Sequence, residues 1–290
     1  MTISVFIQSI FSGLTTGSVY ALIGIGITLI FRVSNSLNLM QGEYFTLGVL
    51  VVASGLAFGL PLPLAFLLAI MSAVLVGMIF ERGTVHLVRK KDMLVKLMLS
   101  LAGALFMEAL YMLIWGKSSV TLSPLPGPES ITVAGASLSS QVLWIIGTAL
   151  VLVIALNLFF KFSRFGKAVR ACADNELASR LMGIPVRLII LFSYTLSAAI
   201  GAIAGFMIAP LVLVNFGTGL FMTIKGFIAA VFGGLNRPNG ALLGGLTIGL
   251  IEAFGSSVIS SQYKDTVVYT IQFLALIMIP LIVKKKGANI

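Results

Sequence analysis

Residues 164–185 read RFGKAVRACADNELASRLMGIP and form a polar island between two apolar segments, 141–160 and 188–214. Apolar residues recur every four positions in this island, which places them on one face of a predicted amphipathic helix. They are Phe165, Val169, Ala173, Leu177 and Leu181. Gly183 and Pro185 are typical of a helix end, because Gly accepts a left-handed cap and Pro cannot continue the helical hydrogen bonds. The island predicts a helix lying at a membrane surface, with an ordinary helical loop as the alternative.

The composition of the chain is that of a membrane protein. Hydrophobic residues make up 59% and charged residues 10% of its 290 residues, whereas a soluble domain carries about 25% charged residues. At about 20 residues for each crossing, the length predicts about eight to ten transmembrane helices. We therefore expect an all-α, polytopic helical bundle that forms a single domain, residues 1–290.

The net charge of +10 is concentrated in three stretches, 82–96, 161–187 and 284–286. These stretches are predicted loops and a tail, so the distribution follows the positive-inside rule and does not indicate nucleic-acid binding. It predicts that the polar island and the C-terminus lie inside the cell. Counting back from the C-terminus gives nine crossings, and this odd number places the N-terminus outside.

Cysteine and histidine, which form many metal and catalytic sites, are scarce. The chain has one cysteine, Cys172, and one histidine, His86, which excludes a disulfide framework and a metal site built from several of these residues. It also lacks a phosphate-binding loop and the common catalytic motifs. We expect no enzyme activity and no cofactor in this chain, so energy for uphill transport would have to come from another subunit.

Two polar or short segments interrupt the apolar pattern. One is SNSLNLMQGE, residues 34–43, and the other is the short apolar piece 221–232, which is followed by GGLNRPNG. Irregular backbone within a membrane is tolerated where it is buried in protein or lines a cavity. Both segments are therefore predicted to be broken or re-entrant helices of the kind found at transport sites.

Charged residues inside the predicted spans are costly and usually functional. Five occur, namely Arg32, Glu43, Glu108, Lys225 and Glu252. Glu43 and Lys225 lie beside the two predicted breaks, so a cavity could solvate them. The alternative for each of the five is an interfacial side chain that reaches the headgroups. In the first span, glycines at 13, 17, 24 and 26 predict close contact with another helix.

Four stretches resemble one family of transport proteins. GLTTGSVYALIGIGITLIF at 13–31, LNLMQGEYFTLG at 37–48, GKAVRACADNELASRLMGIP at 166–185 and the segment 224–254 are similar to conserved stretches of the LivH/LivM permeases. These permeases belong to branched-chain amino-acid ABC importers, and the chain is closer to the LivH type. The resemblance covers nearly the whole chain. One departure is Gln41, which stands where the family usually has His.

The resemblance implies roles for two sets of residues. It makes the segment 164–185 a cytoplasmic coupling helix that docks an ATPase, through Gly166, Arg170, Asp174, Asn175, Ala178, Arg180 and Gly183. Asn38, Gln41, Gly42, Glu43 and Lys225 are the candidates for lining the translocation path.

The same resemblance implies the partners and the location. The expected partners are a second permease of the LivM type, two ABC ATPases that bind ATP and Mg, a periplasmic substrate-binding protein and membrane lipid. The expected location is the bacterial inner membrane, with the N-terminus in the periplasm. A permease for urea, short amides or aromatic carboxylates is an alternative, and so is a stand-alone secondary transporter or channel.

Overall fold

A computed structural model describes residues 3–88, 92–128, 130–133 and 136–258, together with residues 266, 270 and 273. The described part is a helical bundle with one small hairpin. Its helices are α1 Ile3–Ser34, α2 Gln41–Ala57, α3 Leu62–Phe80, α4 Met93–Trp115, α5 Ser140–Phe162, α6 Arg164–Asp174, α7 Glu176–Leu181, α8 Val186–Ile208, α9 Thr218–Gly233 and α10 Pro238–Val258. A π-helical turn, Glu81–Val85, extends α3. The hairpin pairs β1 Ile131–Val133 with β2 Ala136–Leu138 in antiparallel fashion.

Six of these helices are long and apolar enough to cross a membrane: α1, α3 with its π-helical turn, α4, α5, α8 and α10. The helix α9 is also apolar but shorter, and α2 has 17 residues. The all-α polytopic bundle expected from composition is confirmed. The apolar C-terminal segment 266–283, which the sequence also predicts to span the membrane, lies almost entirely outside the described residues.

The core is built around α1, whose residues from 17 to 30 are all buried. It packs against α8, α9 and α10, while α2 packs between α3, α8 and α9. By contrast, α3, α4 and α5 carry many exposed large apolar side chains, such as Leu67, Phe106 and Leu150. In a membrane protein such side chains face lipid, so these three helices form much of the apolar rim around a buried centre.

Glycines allow α1 and α10 to touch along their backbones. A Cβ atom placed on Gly17 would lie 2.9 Å from the carbonyl oxygen of Gly245, and one on Gly13 would lie 2.8 Å from Cα of Leu250. Real Cβ atoms do not approach backbone this closely. The close helix contact predicted from the glycines of the first span is therefore confirmed: Gly13 and Gly17 contact α10, and Gly24 contacts α9 at the carbonyl oxygen of Gly226.

The first predicted break is confirmed. The helix α1 ends at Ser34, α2 begins at Gln41, and Asn35 between them has a positive φ of 46°. A neighbouring helix binds the backbone of this connection: Ser100 of α4 accepts a hydrogen bond from Leu39 N at 3.1 Å. Near the second predicted break, α9 runs without interruption through 221–232. Irregular backbone flanks it instead, at 209–217 and 234–237.

The polar island is two helices and not one. Asn175 is extended, with φ −155° and ψ 106°, and its side chain caps α7 by accepting a hydrogen bond from Ala178 N at 2.9 Å. This break shifts the helical phase, so the four-residue pattern does not stay on one buried face. Val169 is buried, but Leu177 and Leu181 are 69% and 81% exposed, and Phe165, which precedes the break, is 54% exposed. Gly183 has the positive φ of 78° expected at a helix end.

The connection between α4 and α5 is hydrogen-bonded to the connection between α8 and α9. Val120 and Val214 exchange backbone hydrogen bonds of 2.7 and 2.9 Å, and the Thr121 hydroxyl donates to Ala209 O at 3.0 Å. At the start of α5, Gln141 donates from Nε2 to Met207 O at 2.6 Å. These bonds fix the strand-like segment that leads into α9, and with it the position where α9 begins.

Candidate functional site

The short helices α2 and α9 meet at their N-terminal ends in the middle of the bundle. Gln41, the first residue of α2, donates from Nε2 to the carbonyl oxygen of Ser197 at 2.9 Å and accepts from the Ser197 hydroxyl at 2.5 Å. Ser197 is the middle residue of the 23-residue helix α8. The start of α2 therefore lies at half the length of a membrane-spanning helix. We call the contact between the starts of α2 and α9 the α2–α9 junction.

Glycines bring the two backbones together at this junction. A Cβ atom on Gly42 would overlap the carbonyl oxygen of Gly219 in the first turn of α9. Next to this contact, Thr223 accepts a hydrogen bond from Gly42 N at 2.7 Å. The Thr223 hydroxyl also lies 3.1 Å from the carbonyl oxygens of Leu39 and Gly219, to which it can donate. One α9 side chain thus satisfies the backbone on both sides of the junction.

Glu43 places a carboxyl group at the N-terminal end of α9. Its side chain is fully buried, and neither carboxyl oxygen has a hydrogen-bond partner among the residues that the structure describes. The carboxyl group lies against Gly219, where it would overlap any added side chain, while Glu108 of α4 lies beside Gly217. A helix N-terminus favours negative charge. The junction therefore holds a carboxyl group whose hydrogen bonds are incomplete among the described residues.

Asn38 and Tyr111 complete the surroundings of the junction. Asn38 is buried in the connection before α2, and its Oδ1 accepts a hydrogen bond from Met40 N at 3.2 Å. Tyr111 of α4 donates to the backbone carbonyl of Glu43 at 2.9 Å. Both contacts order the backbone on either side of Gln41 and so hold the Glu43 side chain in place.

Lys225 belongs to a different cluster. Its Nζ lies 2.8 Å from Oε1 of Glu252 on α10 and 3.1 Å from the hydroxyl of Tyr20 on α1. Tyr20 in turn donates to Oε2 of Glu252 at 2.8 Å. All three side chains are buried, so the ion pair is shielded from water and satisfied by a third polar group. This triad ties α1, α9 and α10 together.

The structure thus brings four of the five candidate path residues together, Asn38, Gln41, Gly42 and Glu43, and places Lys225 elsewhere. All of these side chains are buried within the chain, so their contact with a transported molecule stays a prediction. Reasoning from sequence missed Ser197 and Thr223. Small hydroxyl residues in apolar helices are common, and no spacing in the sequence links them to residue 41.

The residues proposed for ATPase docking fall into two groups. Asp174, Asn175, Ala178, Arg180 and Gly183 are exposed. Arg180 forms an ion pair with Glu176 one turn earlier, at 2.5 Å. Gly166 instead packs against the backbone of Phe159 and Phe160, where it leaves no room for a side chain. Arg170 is half-buried and faces a cavity beside α5.

Comparison with known proteins gives the chain its family. A sequence profile described as the permease component of branched-chain amino acid transport systems matches residues 9–280. The high-affinity branched-chain amino acid transport system permease protein LivH of Salmonella typhimurium is 30% identical over 95% of this chain and 94% of its own length. The corresponding permease BraD of Pseudomonas aeruginosa is 32% identical over 95% and 94%.

A solved structure shares the fold. PsaBC from Streptococcus pneumoniae in complex with Fab superposes with a TM-score of 0.50 and 12% identity, covering 91% of this chain and 89% of that chain. At this identity the likeness concerns the fold alone. The profile match and the LivH-type relatives, each spanning nearly the whole sequence, carry the assignment. This chain belongs to the permease family of branched-chain amino acid transport systems.

Proposed function

We propose that this chain carries branched-chain or related amino acids into the cell as a permease subunit of an ATP-binding cassette importer. The relatives named above are permeases of such amino acids, and the similarity extends over the full bundle. The single structural observation that supports transport most is the α2–α9 junction. Two helix starts and a carboxyl group without a hydrogen-bond partner in the described part of the chain lie at half the depth of the bundle, which matches the layout of transporter binding sites.

The partners follow from the family, because the permease component of such a transport system works with ATPase and substrate-binding components. We propose two ATPase subunits that bind ATP and Mg²⁺, a second permease of the LivM type and a periplasmic protein that delivers the substrate. The permease itself then needs no cofactor. We place the chain in the inner membrane. The clusters of Lys and Arg support a cytoplasmic position for α6, α7 and the C-terminus, and the N-terminus then lies in the periplasm.

The α2–α9 junction is closed in the conformation described. Glu43, Gln41 and Asn38 are buried, so a path that uses them must open by separating α2 from α9 or from α4. Alternating access by rigid-body movement of helices provides such an opening. In this proposal the Glu43 carboxyl group faces the substrate only in the open state and accepts hydrogen bonds from it there.

The ATPase docks on the outer face of α6 and α7. This face combines the exposed polar residues of the coupling segment, Asp174, Asn175 and Arg180, with the exposed apolar side chains Leu177 and Leu181. An exposed apolar patch with a polar rim is typical of protein–protein contacts. Closure of the ATPase dimer would then push α7. The movement would pass through α6 and α8 to the helices around the junction.

Uptake by the reconstituted importer tests this proposal. Proteoliposomes would contain this chain, its second permease and the ATPases, with the binding protein outside and ATP inside. We expect saturable, ATP-dependent uptake of labelled leucine. Unlabelled leucine, isoleucine and valine should each inhibit this uptake. Exclusive uptake of urea or of an aromatic carboxylate would refute the substrate assignment. Uptake that an ionophore abolishes and that needs no ATPase would refute the importer itself.

A further inference from the structure

The structure contains a second polar site, outside the α2–α9 junction, in a cavity of about 570 Å³ between α1, α5, α6 and the start of α10. Four cationic side chains from four different segments line it: Arg32, Lys161, Arg170 and Arg237. None of the residues that line this cavity is acidic, and within the described ranges none of the four cations has an ion pair. Arg32 and Arg170 are half-buried, whereas Lys161 and Arg237 are exposed, so the positive charge of the cavity is open to solvent and attracts an anion.

Neutral polar groups reinforce the preference for an anion. The side chains of Asn157, Asn236 and Asn239 also line the cavity, and amide groups can donate to an oxyanion. The 21-residue helix α10 begins at Pro238, so its first turn, including Gly240, faces the same space. Free backbone N–H groups and the positive end of the helix dipole make such a helix start favourable for phosphate.

The remaining wall of the cavity is apolar and extends away from the cations along two helices. Ile25 precedes Arg32 on α1 by about two turns, or about 10 Å, and Val153 precedes Lys161 on α5 by about 12 Å. Leu156 and Phe160 lie between these levels. The site is therefore amphipathic, with a cationic end where α1 and α5 terminate and an apolar end toward the middle of the bundle.

We propose that this cavity binds the phosphate group of an anionic phospholipid, with an acyl chain along the apolar wall. The cations lie at the ends of α1 and α5, which the charge distribution assigns to the cytoplasmic side, where anionic lipids are exposed to basic pockets between helices. A bound lipid would connect α6 of the coupling segment with α1 and α10. An acidic side chain of a partner protein would satisfy the cations but not the recessed apolar wall.

Lipid retention tests this site on the full chain. The protein would be released from nanodiscs that contain phosphatidylglycerol and phosphatidylcholine, and bound lipids would be counted by native mass spectrometry. The double variant Arg32→Gln/Arg237→Gln should bind phosphatidylglycerol about thirtyfold more weakly, since each cation contributes about 1 kcal/mol. The matched control Lys167→Gln/Arg187→Gln removes two exposed cations of the same side that do not line the cavity, and should retain the lipid.

The charge-preserving variant Arg32→Lys/Arg237→Lys should also retain the lipid, which separates loss of binding from loss of folding. Equal losses in the cavity variant and the control would overturn the proposal. The proposal would also be overturned if inorganic phosphate bound in the absence of lipid and the Arg32→Gln/Arg237→Gln variant weakened that binding equally, because the ligand would then be a free anion. Loss of a co-purifying subunit with lipid retention unchanged would assign the cations to a protein partner instead.

Discussion

Lys225 and Glu252 show how much one residue's role depends on contacts that lie far apart in sequence. Each is an isolated charge in an apolar segment, and the pattern around Lys225 suggested a place in the transport path. In the structure the two charges neutralise each other, and Tyr20 contacts both. Nothing local in the sequence pairs residues 20, 225 and 252, because the pairing is created by the packing of three helices.

A double-mutant cycle on this pair separates a structural role from a transport role. Lys225→Met leaves Glu252 buried without its cation and should destabilise the protein by about 3–5 kcal/mol. Lys225→Met/Glu252→Gln leaves no buried charge, and Gln still accepts from Tyr20, so most of that loss should be recovered. Thermal unfolding in detergent measures both. If the stable double variant transports normally, Lys225 does not bind the substrate. If the double variant is stable but does not transport, Lys225 belongs to the translocation path.

At the α2–α9 junction, Gly42 is required by contact and not by backbone conformation. Gly42→Ala would force its Cβ into the Gly219 carbonyl, and overpacking of this kind costs about 1–3 kcal/mol. Gly147→Ala on α5 is the control, because nothing lies within 4 Å of a Cβ there, and Ala is favoured over Gly in a helix. Comparing unfolding temperatures checks the contrast. Equal stability of the two variants would mean that the helices can separate without cost.

Among the elements, the segment α6–α7 departs most from its prediction. The four-residue repeat continues through Asn175, so the sequence suggests one helix with one apolar face. The Asn175 side chain bonds to the backbone instead, as Asn often does at a helix start. The helical register is lost there, and Leu177 and Leu181, which the pattern places on the same face as the buried Val169, are exposed. The prediction of where the segment ends, at Gly183, is correct because Gly at a left-handed position acts locally.

The exposed leucines give a sharp test of docking. Leu177→Glu/Leu181→Glu should leave membrane insertion and unfolding temperature unchanged, because both side chains are largely exposed, and should abolish binding of the ATPase. Arg187→Glu, on an exposed position of α8 outside the proposed docking face, is the control and should bind normally. Co-purification of the tagged permease with its ATPase measures the effect. Normal ATPase binding by the leucine variant would show that docking uses another surface.

For the whole molecule, properties that repeat along the chain could be predicted and properties of single contacts could not. Hydrophobic composition predicted the helical membrane bundle, and the polar residues 34–43 predicted the break before Gln41. The close packing of the first span followed from Gly13 and Gly17, although its partner α10 did not. The α2–α9 junction, the triad of Tyr20, Lys225 and Glu252, and the cationic cavity each depend on side chains from three or more helices. Only the fold brings them together.

The most direct test of the importer assignment is purification of this chain from its native membrane in mild detergent, followed by identification of the bound subunits. We predict stoichiometric recovery of ATPase subunits and a second permease. Recovery of the chain alone, both in detergent and after direct transfer into lipid nanodiscs, would contradict the assignment and indicate a transporter or channel that acts by itself.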